Sequence, residues 1–371
     1  MPKPNQRTDA VKMVRNVVVK VGTNTVCTAS GPNPAAIRTL AQQIVALRAK
    51  GVRVALVASG AIGTGMGELH LTKRPRTMPK LQAVAAIGQG QLMRAFRDVF
   101  AESDLPVAQL LLTRDDFEDR TRYLNIRNTL AALDELGALP IINENDTVAV
   151  EEIRFGENDV LAALVCNLIP AELLVLLTSV DGVLGDDGGV LDVVKRVDAD
   201  VLSLVRDERS SMGSGGMGTK LTAADLVTRA GEAVVIANAA APRVLERILA
   251  GETVGTLFVP ARRKMSSRRR WIGQASRTTG KVYVDAGAAR ALRLRGTSLL
   301  PSGVTGVAGE FSKGATVAIV DPDGAEVARG LTNYAADQVE KIKGLRTGQI
   351  AQALGDKPYD EIIHRNNMTL V

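Results

Sequence analysis

Val17-Val18-Val19-Lys20-Val21-Gly22-Thr23 is a short apolar run with one lysine near its end and a glycine closing it. Its β-branched content and length read as a buried strand. Working outward, residues 35–49 carry the apolar spacing of an amphipathic helix ending near Gly51, and Val52-Arg53-Val54-Ala55-Leu56-Val57-Ala58 is the next strand. The rhythm returns along the chain, with strands at 106–112, 139–142, 173–178 and 233–237. Helices fall between them at 80–101, 121–136, 159–168, 219–230 and 242–250. Such alternation predicts an α/β fold, a mostly parallel sheet sandwiched by helices. Aromatic residues are only 3% of the chain, so the core must be built from Ala, Val, Leu and Ile, which suits buried parallel strands.

The pattern changes after Pro260. Residues Arg262 to Arg270 hold six arginines and lysines, and short glycine-punctuated strands follow at 281–285, 304–311, 315–321 and 325–331. The expected organisation is therefore an α/β domain over 1–260, a basic linker over 261–275 and a small β-rich, barrel-like domain over 276–371. Charge supports the division. Residues 1–260 carry 28 basic and 30 acidic side chains, and 261–371 carry 18 and 10, so the net charge of +6 belongs to the C-terminal third. That asymmetry suits a separate module with an anionic partner.

Composition also excludes. His70 and His364 are the only histidines, which rules against a histidine metal centre or a Ser-His-Asp triad. Cys27 and Cys166 cannot form a disulfide framework and read as small packing residues in a reducing cytoplasm. No apolar run reaches membrane-spanning length, and the polar N-terminus lacks the apolar stretch of a signal peptide.

Five segments carry chemistry. Lys20-Val21-Gly22-Thr23-Asn24 puts a lysine at a strand's carboxyl end, where open α/β sheets bind ligands; it either meets a phosphate or snorkels to solvent. Ala58-Ser59-Gly60-Ala61-Ile62-Gly63-Thr64-Gly65-Met66-Gly67 reads as a glycine-rich loop, with Gly22, Gly60 and Gly63 as backbone donors to an anion and Ser59 as a hydroxyl donor. The alternative is a plain flexible turn. Asn143-Glu144-Asn145-Asp146, followed by Gly156-Glu157-Asn158-Asp159, is a dense polar cluster after a strand. Its acidic groups suit an ammonium, Mg²⁺ or the orientation of lysines. Thr178-Ser179-Val180-Asp181-Gly182 ends another strand in hydroxyls and a turn. Ser214-Gly215-Gly216-Met217-Gly218-Thr219-Lys220 opens a helix and follows the logic of a nucleotide-phosphate loop without P-loop spacing. Glycine-rich anion sites, two lysines and an Asn/Asp cluster are what phosphoryl transfer requires, because its catalysis is mostly positioning and charge stabilisation. A carboxylate acceptor is already ionised at neutral pH, so the shortage of histidine is no obstacle.

In this order these segments resemble the amino acid kinase family, and their combination resembles its glutamate-phosphorylating branch. The resemblance continues through Arg269-Arg270-Trp271-Ile272 into a part similar to a PUA domain, with Ser298-Leu299-Leu300-Pro301-Ser302-Gly303. It implies ATP-dependent phosphorylation of the L-glutamate side-chain carboxylate to glutamyl 5-phosphate, the first step of proline biosynthesis, with Mg²⁺ accompanying ATP. It implies that Lys20, Lys220 and Asp159 are catalytic, with Asp159 organising the lysines. It implies that Ser59, Asp146 and Asn158 bind glutamate, and that Lys20, Thr178, Ser179 and residues Ser214, Gly215, Gly216, Met217, Gly218, Thr219 and Lys220 bind ATP. Proline as feedback inhibitor, a homodimer or homotetramer, and functional coupling to a reductase that consumes the acyl phosphate are further implications. Ser179 departs from the aspartate common in the family, and Leu184 from a tyrosine, which touches the nucleotide contacts. Three other readings compete: a sister kinase with another acceptor, a degenerate kinase used as a sensor, and a nucleic-acid-binding protein. PUA domains elsewhere bind RNA, but the C-terminal third has few aromatics for stacking: Trp271, Tyr283, Phe311, Tyr334 and Tyr359.

Overall fold

The computed structural model of the chain describes residues 6–149, 158–204, 216–261 and 264–371. They form two compact units: the first comprises residues up to Asp116 together with Thr121–Lys264, and the second comprises Phe117–Arg120 with Met265–Val371.

The strands of the first unit are β1 (Asn16–Val21), β2 (Cys27–Thr28), β3 (Gly31–Pro32), β4 (Arg53–Ala58), β5 (Val107–Leu112), β6 (Leu139–Glu144), β7 (Leu173–Thr178), β8 (Val193–Val194), β9 (Ala233–Asn238) and β10 (Thr256–Phe258). Between them run α1 (Gln6–Val11), α2 (Thr23–Val26), α3 (Pro34–Ala49), α4 (Ala61–Glu68), α5 (Met78–Ala101), α6 (Arg114–Glu118), α7 (Arg120–Glu135), α8 (Asn158–Leu168), α9 (Ala199–Ser203), α10 (Met217–Arg229) and α11 (Val244–Leu249). The sheet order is β5-β6-β4-β1-β7-β9-β10-β8, parallel except where β10 runs against β9. β1 is central, paired with β4 through Lys20↔Val57 and with β7 through Lys20↔Leu176. Five of its six residues are buried, as expected for a strand covered on both faces. The apolar core gathers Val17, Val19, Leu56, Ile141, Val175 and Val235 of this sheet with Ile37, Ile44 and Phe96 of the helices.

Strand–helix alternation is thus as the sequence predicts. The short strands β8 and β10 escape sequence reading because two or three residues hold no period. Arg7 fastens that edge: it is 4% exposed and donates to Asp192 Oδ1 (2.7 Å) and to the carbonyls of Asp192 (2.8 Å), Val254 (3.0 Å) and Gly255 (2.5 Å).

The glycine-rich segment after β4 differs from expectation. It is not a loop: Gly63, Gly65 and Gly67 lie inside α4. A β-carbon on Gly65 would stand 1.9 Å from Val84 O, and one on Gly88 of α5 would stand 2.0 Å from Ala61 O. These glycines let two helices cross backbone to backbone. Glycine frequency alone does not separate that use from a loop, since both exploit the missing side chain.

The second unit holds α12 (Ser267–Arg270), β11 (Gly280–Val284), α13 (Ala286–Arg295), β12 (Val304–Ala308), β13 (Thr316–Val320), β14 (Glu326–Leu331), α14 (Ala336–Ile342), α15 (Ile350–Leu354) and β15 (Met368–Leu370). Its sheet runs β12-β11-β13-β14-β15, with β11 and β13 parallel and the other neighbours antiparallel. Asp285 caps α13 through Ala288 N (2.6 Å), and Gly296 ends it at φ +58°. Val282, Ile319, Tyr334 and Ile363 lie in its own apolar core. Residues Met265–Ala275, which the sequence assigns to a basic connector, contain α12 and the buried Arg270, Trp271 and Ile272. Trp271 Nε1 donates to Phe117 O (3.0 Å) within this unit. Arg262 and Arg263 lie outside the described residues. No helix among the described residues is long and apolar enough to cross a membrane.

Candidate active site

β1 delivers Lys20 to the carboxyl edge of the sheet, 4% exposed. α8 begins beside it, and its first turn places Asp159, where the positive end of a helix dipole favours a carboxylate. α10 packs against α8 and presents Lys220 from its own first turn. The three side chains meet. Lys20 Nζ lies 2.8 Å from Asp159 Oδ1, and Lys220 Nζ lies 3.2 Å from Asp159 Oδ2. Thr219 Oγ1 adds a hydrogen bond to Oδ2 at 2.8 Å.

Asp159 is fully buried. Burial alone would push its carboxyl up, but the Lys20 and then the Lys220 ammonium outweigh that and hold it below the usual carboxylate range. Burial lowers the Lys220 ammonium, Asp159 raises it and Lys20 lowers it again, leaving it below an ordinary lysine. One buried carboxylate between two ammonium groups leaves a surplus positive charge with no counter-ion among the described residues of the cluster. A polyanion completes it. A β-carbon on Gly22 would stand 3.9 Å from Lys20 Nζ, in ordinary contact with it.

A second group lies beside the first. Asn158 Nδ2 donates to Ser59 Oγ (2.9 Å) and lies 3.1 Å from Asn143 Oδ1, while Asn143 Nδ2 donates to Gln89 Oε1 (2.7 Å). Asn158 Oδ1 is buried and has no hydrogen-bond partner among the described residues, an acceptor left for a ligand's donor. Ser59 itself is placed by its amide on Val21 O (3.1 Å). Gly60 follows at φ +122°, a conformation that excludes other residues, with Cys27 Sγ 2.7 Å from where its β-carbon would be. Asp146 sits in the turn after β6. Burial pushes its carboxyl up to about 6, against the pull of the Arg74 guanidinium.

Thr178 ends β7, and with Ser179 just beyond it lines a cavity of about 460 Å³ shared with Asn24, Gln43 and Asn238. Asn238 Nδ2 holds Asp181 Oδ1 at 2.8 Å. Gly216 caps α10, Met217 starts it, and a β-carbon on Gly218 would meet nothing within 4 Å. Ser214, Gly215, Gly156 and Glu157 lie outside the described residues.

The structure therefore brings together Lys20, Asp159, Thr219 and Lys220, and separately Ser59, Asn143 and Asn158. Gly63 lies in α4, its β-carbon position 3.0 Å from Thr23 Cγ2. Sequence reading missed Gln89 and Asn238, each a lone polar residue with no local motif to mark it. Among the described residues no three His, Cys, Asp or Glu side chains gather as a metal site.

The chain matches the amino acid kinase family over residues 15–238 and the PUA domain over 280–354. A glutamate 5-kinase of Moorella thermoacetica is 47% identical over 369 residues, covering 98% of both chains. A glutamate 5-kinase of Caldanaerobacter subterraneus subsp. tengcongensis is 47% identical over 362 residues, 96% of this chain and 97% of the relative. One from Geobacter sp. strain M21 is 43% identical over 372 residues, 98% of this chain and all of the relative.

Proposed function

Because the chain belongs to the amino acid kinase family, among relatives called glutamate 5-kinases, we propose that it transfers the γ-phosphoryl group of ATP to the side-chain carboxylate of L-glutamate. The observation that carries this is the buried Lys20–Asp159–Lys220 cluster at the carboxyl edge of the sheet. In the step, a carboxylate oxygen attacks the γ-phosphorus, the bond to the bridging oxygen breaks, and glutamyl 5-phosphate and ADP leave. The acceptor is ionised at neutral pH, so no base is needed. Lys20 and Lys220 meet the oxygens on which charge develops, and Asp159 fixes their spacing so that little reorganisation accompanies the reaction.

Thr178, Ser179 and the segment 214–220 take the nucleotide, and Ser59, Asp146 and Asn158 take glutamate, with Asp146 against its ammonium. Mg²⁺ neutralises charge on the polyphosphate. Asp159 is engaged by two lysines and Thr219, so a Mg²⁺ ion accompanying ATP would be held by the nucleotide rather than by this carboxylate. Residues 1–260 act as the catalytic domain and 276–371 as an appended PUA-like domain. A cytoplasmic setting suits Cys27 and Cys166, two buried thiols that form no disulfide with each other. Assembly as a dimer or tetramer, feedback inhibition by proline and capture of the labile acyl phosphate by a reductase complete the proposal. RNA binding by the PUA-like domain is the weaker reading: Trp271, Phe311 and Tyr334 are buried, which removes them as stacking surfaces and leaves Tyr283, 36% exposed.

The test is trapping of acyl phosphate with hydroxylamine in the presence of ATP and Mg²⁺. Hydroxamate is expected with L-glutamate and not with aspartate or N-acetylglutamate, and should fall about 10²- to 10³-fold in Lys220→Ala. Absence of hydroxamate with glutamate sinks the proposal, and signal with another acceptor moves it to a sister kinase.

A further inference from the structure

A backbone N–H can only donate, so it fixes which way round a side-chain amide must sit against it. Asn143 is 3% exposed, and its Oδ1 accepts from the Glu144 amide at 2.9 Å. That contact turns Asn143 Nδ2 the other way, where it needs an acceptor. Gln89 Oε1, on α5, supplies one at 2.7 Å, and among the described residues Asn143 Nδ2 has no second.

The direction then passes from side chain to side chain. Asn143 Oδ1 also accepts from Asn158 Nδ2 at 3.1 Å, and Asn158 Nδ2 donates again to Ser59 Oγ at 2.9 Å. With both protons of that nitrogen committed, Asn158 Oδ1 is left as an acceptor, and it has no partner among the described residues. With Ser59 Oγ already accepting, its hydroxyl proton is left to donate. The relay therefore presents one acceptor and one donor on neighbouring side chains. An α-amino acid brings the complement, an ammonium that donates and a carboxylate that accepts. An ammonium carries three protons, so Asn158 adds to Asp146 rather than replacing it.

Both ends of the relay belong to one helix crossing. Ser59 and Gly60 lead into α4, and Gln89 follows Gly88 in α5. A β-carbon on Gly88 would stand 2.9 Å from Gly65 Cα, so the two helices meet backbone to backbone one residue before Gln89. The glycines of α4 and α5 thus hold Gln89 within reach of Asn143 on β6.

We infer that Gln89 is a positioning residue for the acceptor amino acid: by accepting from Asn143 it holds Asn158 Oδ1 and the Ser59 hydroxyl toward the substrate's head group. This rests on the reading of the acceptor as glutamate. Without Gln89 Oε1 the buried Asn143 Nδ2 is unpaired, and the amide turns to find another partner, which draws Oδ1 away from Asn158.

The experiment is steady-state kinetics on wild type, Gln89→Leu, Gln89→Glu and, as a control on the same helix, Gln91→Leu. In Gln89→Leu, KM for glutamate should rise roughly 10-fold, with kcat and KM for ATP within about twofold. Gln89→Glu keeps an oxygen for Asn143 and should hold KM for glutamate within about threefold of wild type. Gln91→Leu should change neither KM. Added to Asn158→Ala, Gln89→Leu should raise KM for glutamate by less than about twofold, because the group it positions is gone. Where Gln89→Leu does not fold, Gln89→Asn, one methylene shorter, withdraws the same oxygen and is read in its place. Unchanged kinetics, equal loss for glutamate and ATP, no rescue by glutamate at position 89, or a full effect in the Asn158→Ala background overturns the inference and leaves the kinase assignment standing. A wild-type enzyme that does not phosphorylate glutamate removes both.

Discussion

Replacing Asp159 with asparagine keeps shape and volume and removes one charge. In the native protein that carboxylate is fully buried and lies within 3.2 Å of two ammonium groups. The variant leaves Lys20 and Lys220 facing each other, both about 5% exposed, with no anion between them. Breaking a buried ion pair by removing one partner costs about 3–5 kcal/mol. That is a large share of the ~5–15 kcal/mol that holds a domain together. Urea unfolding followed by circular dichroism should show the loss as a lower midpoint at unchanged slope. The same charge logic predicts partial rescue by ligand. Triphosphate oxygens can stand in for the missing carboxylate, so a non-hydrolysable ATP analogue should raise the midpoint more in the variant than in the wild type. Turnover should nevertheless fall by at least ~10²-fold, because the lysines lose the group that spaces them. A variant with wild-type stability and kcat would refute the claim that Asp159 organises the pair. The pH dependence runs the same way: a carboxylate held below its usual range contributes stability above the unfolded-state value and loses it as acid drives it through the folded value.

Asp146, with its carboxyl raised to about 6, must be ionised to hold an ammonium, so kcat/KM for glutamate should decline as pH falls through about 6 while KM for ATP does not. Asp146→Asn should abolish that break, and a pH profile unchanged in the variant would show that another group titrates. Gly88→Ala drives a β-carbon to 2.0 Å from Ala61 O and 2.2 Å from Gly65 N, and should cost about 3 kcal/mol by forcing α4 and α5 apart. Gly90→Ala in the same helix, where a β-carbon meets nothing within 4 Å, should instead be neutral or add about 0.5–1 kcal/mol, read by the same unfolding measurement.

Much of this molecule was legible in the chain. Apolar runs such as Val17–Val21 and Leu173–Thr178 are buried on both faces, and the hydrophobic effect acts on them wherever they sit, so strand order in sequence follows from composition. Lys20 and Lys220 stand out in the sequence because charge at strand and helix ends next to glycine is a local pattern, and Asp159 stands out as the acid that closes Gly156-Glu157-Asn158-Asp159.

What remained depends on contacts between residues far apart in sequence. That Asp159 lies between Lys20 and Lys220 needs three elements, β1, α8 and α10, to converge, and no spacing encodes that. Glycines 63, 65 and 67 look the same in a loop and in a helix crossing; only the approach of α5 decides. Arg270 reads as part of a solvated basic run, and only packing shows it buried. Sequence determined which segments are strands, helices and candidate anion sites, because those follow from local chemistry. Tertiary structure alone decided which charges face each other, because electrostatic pairing depends on distance in space.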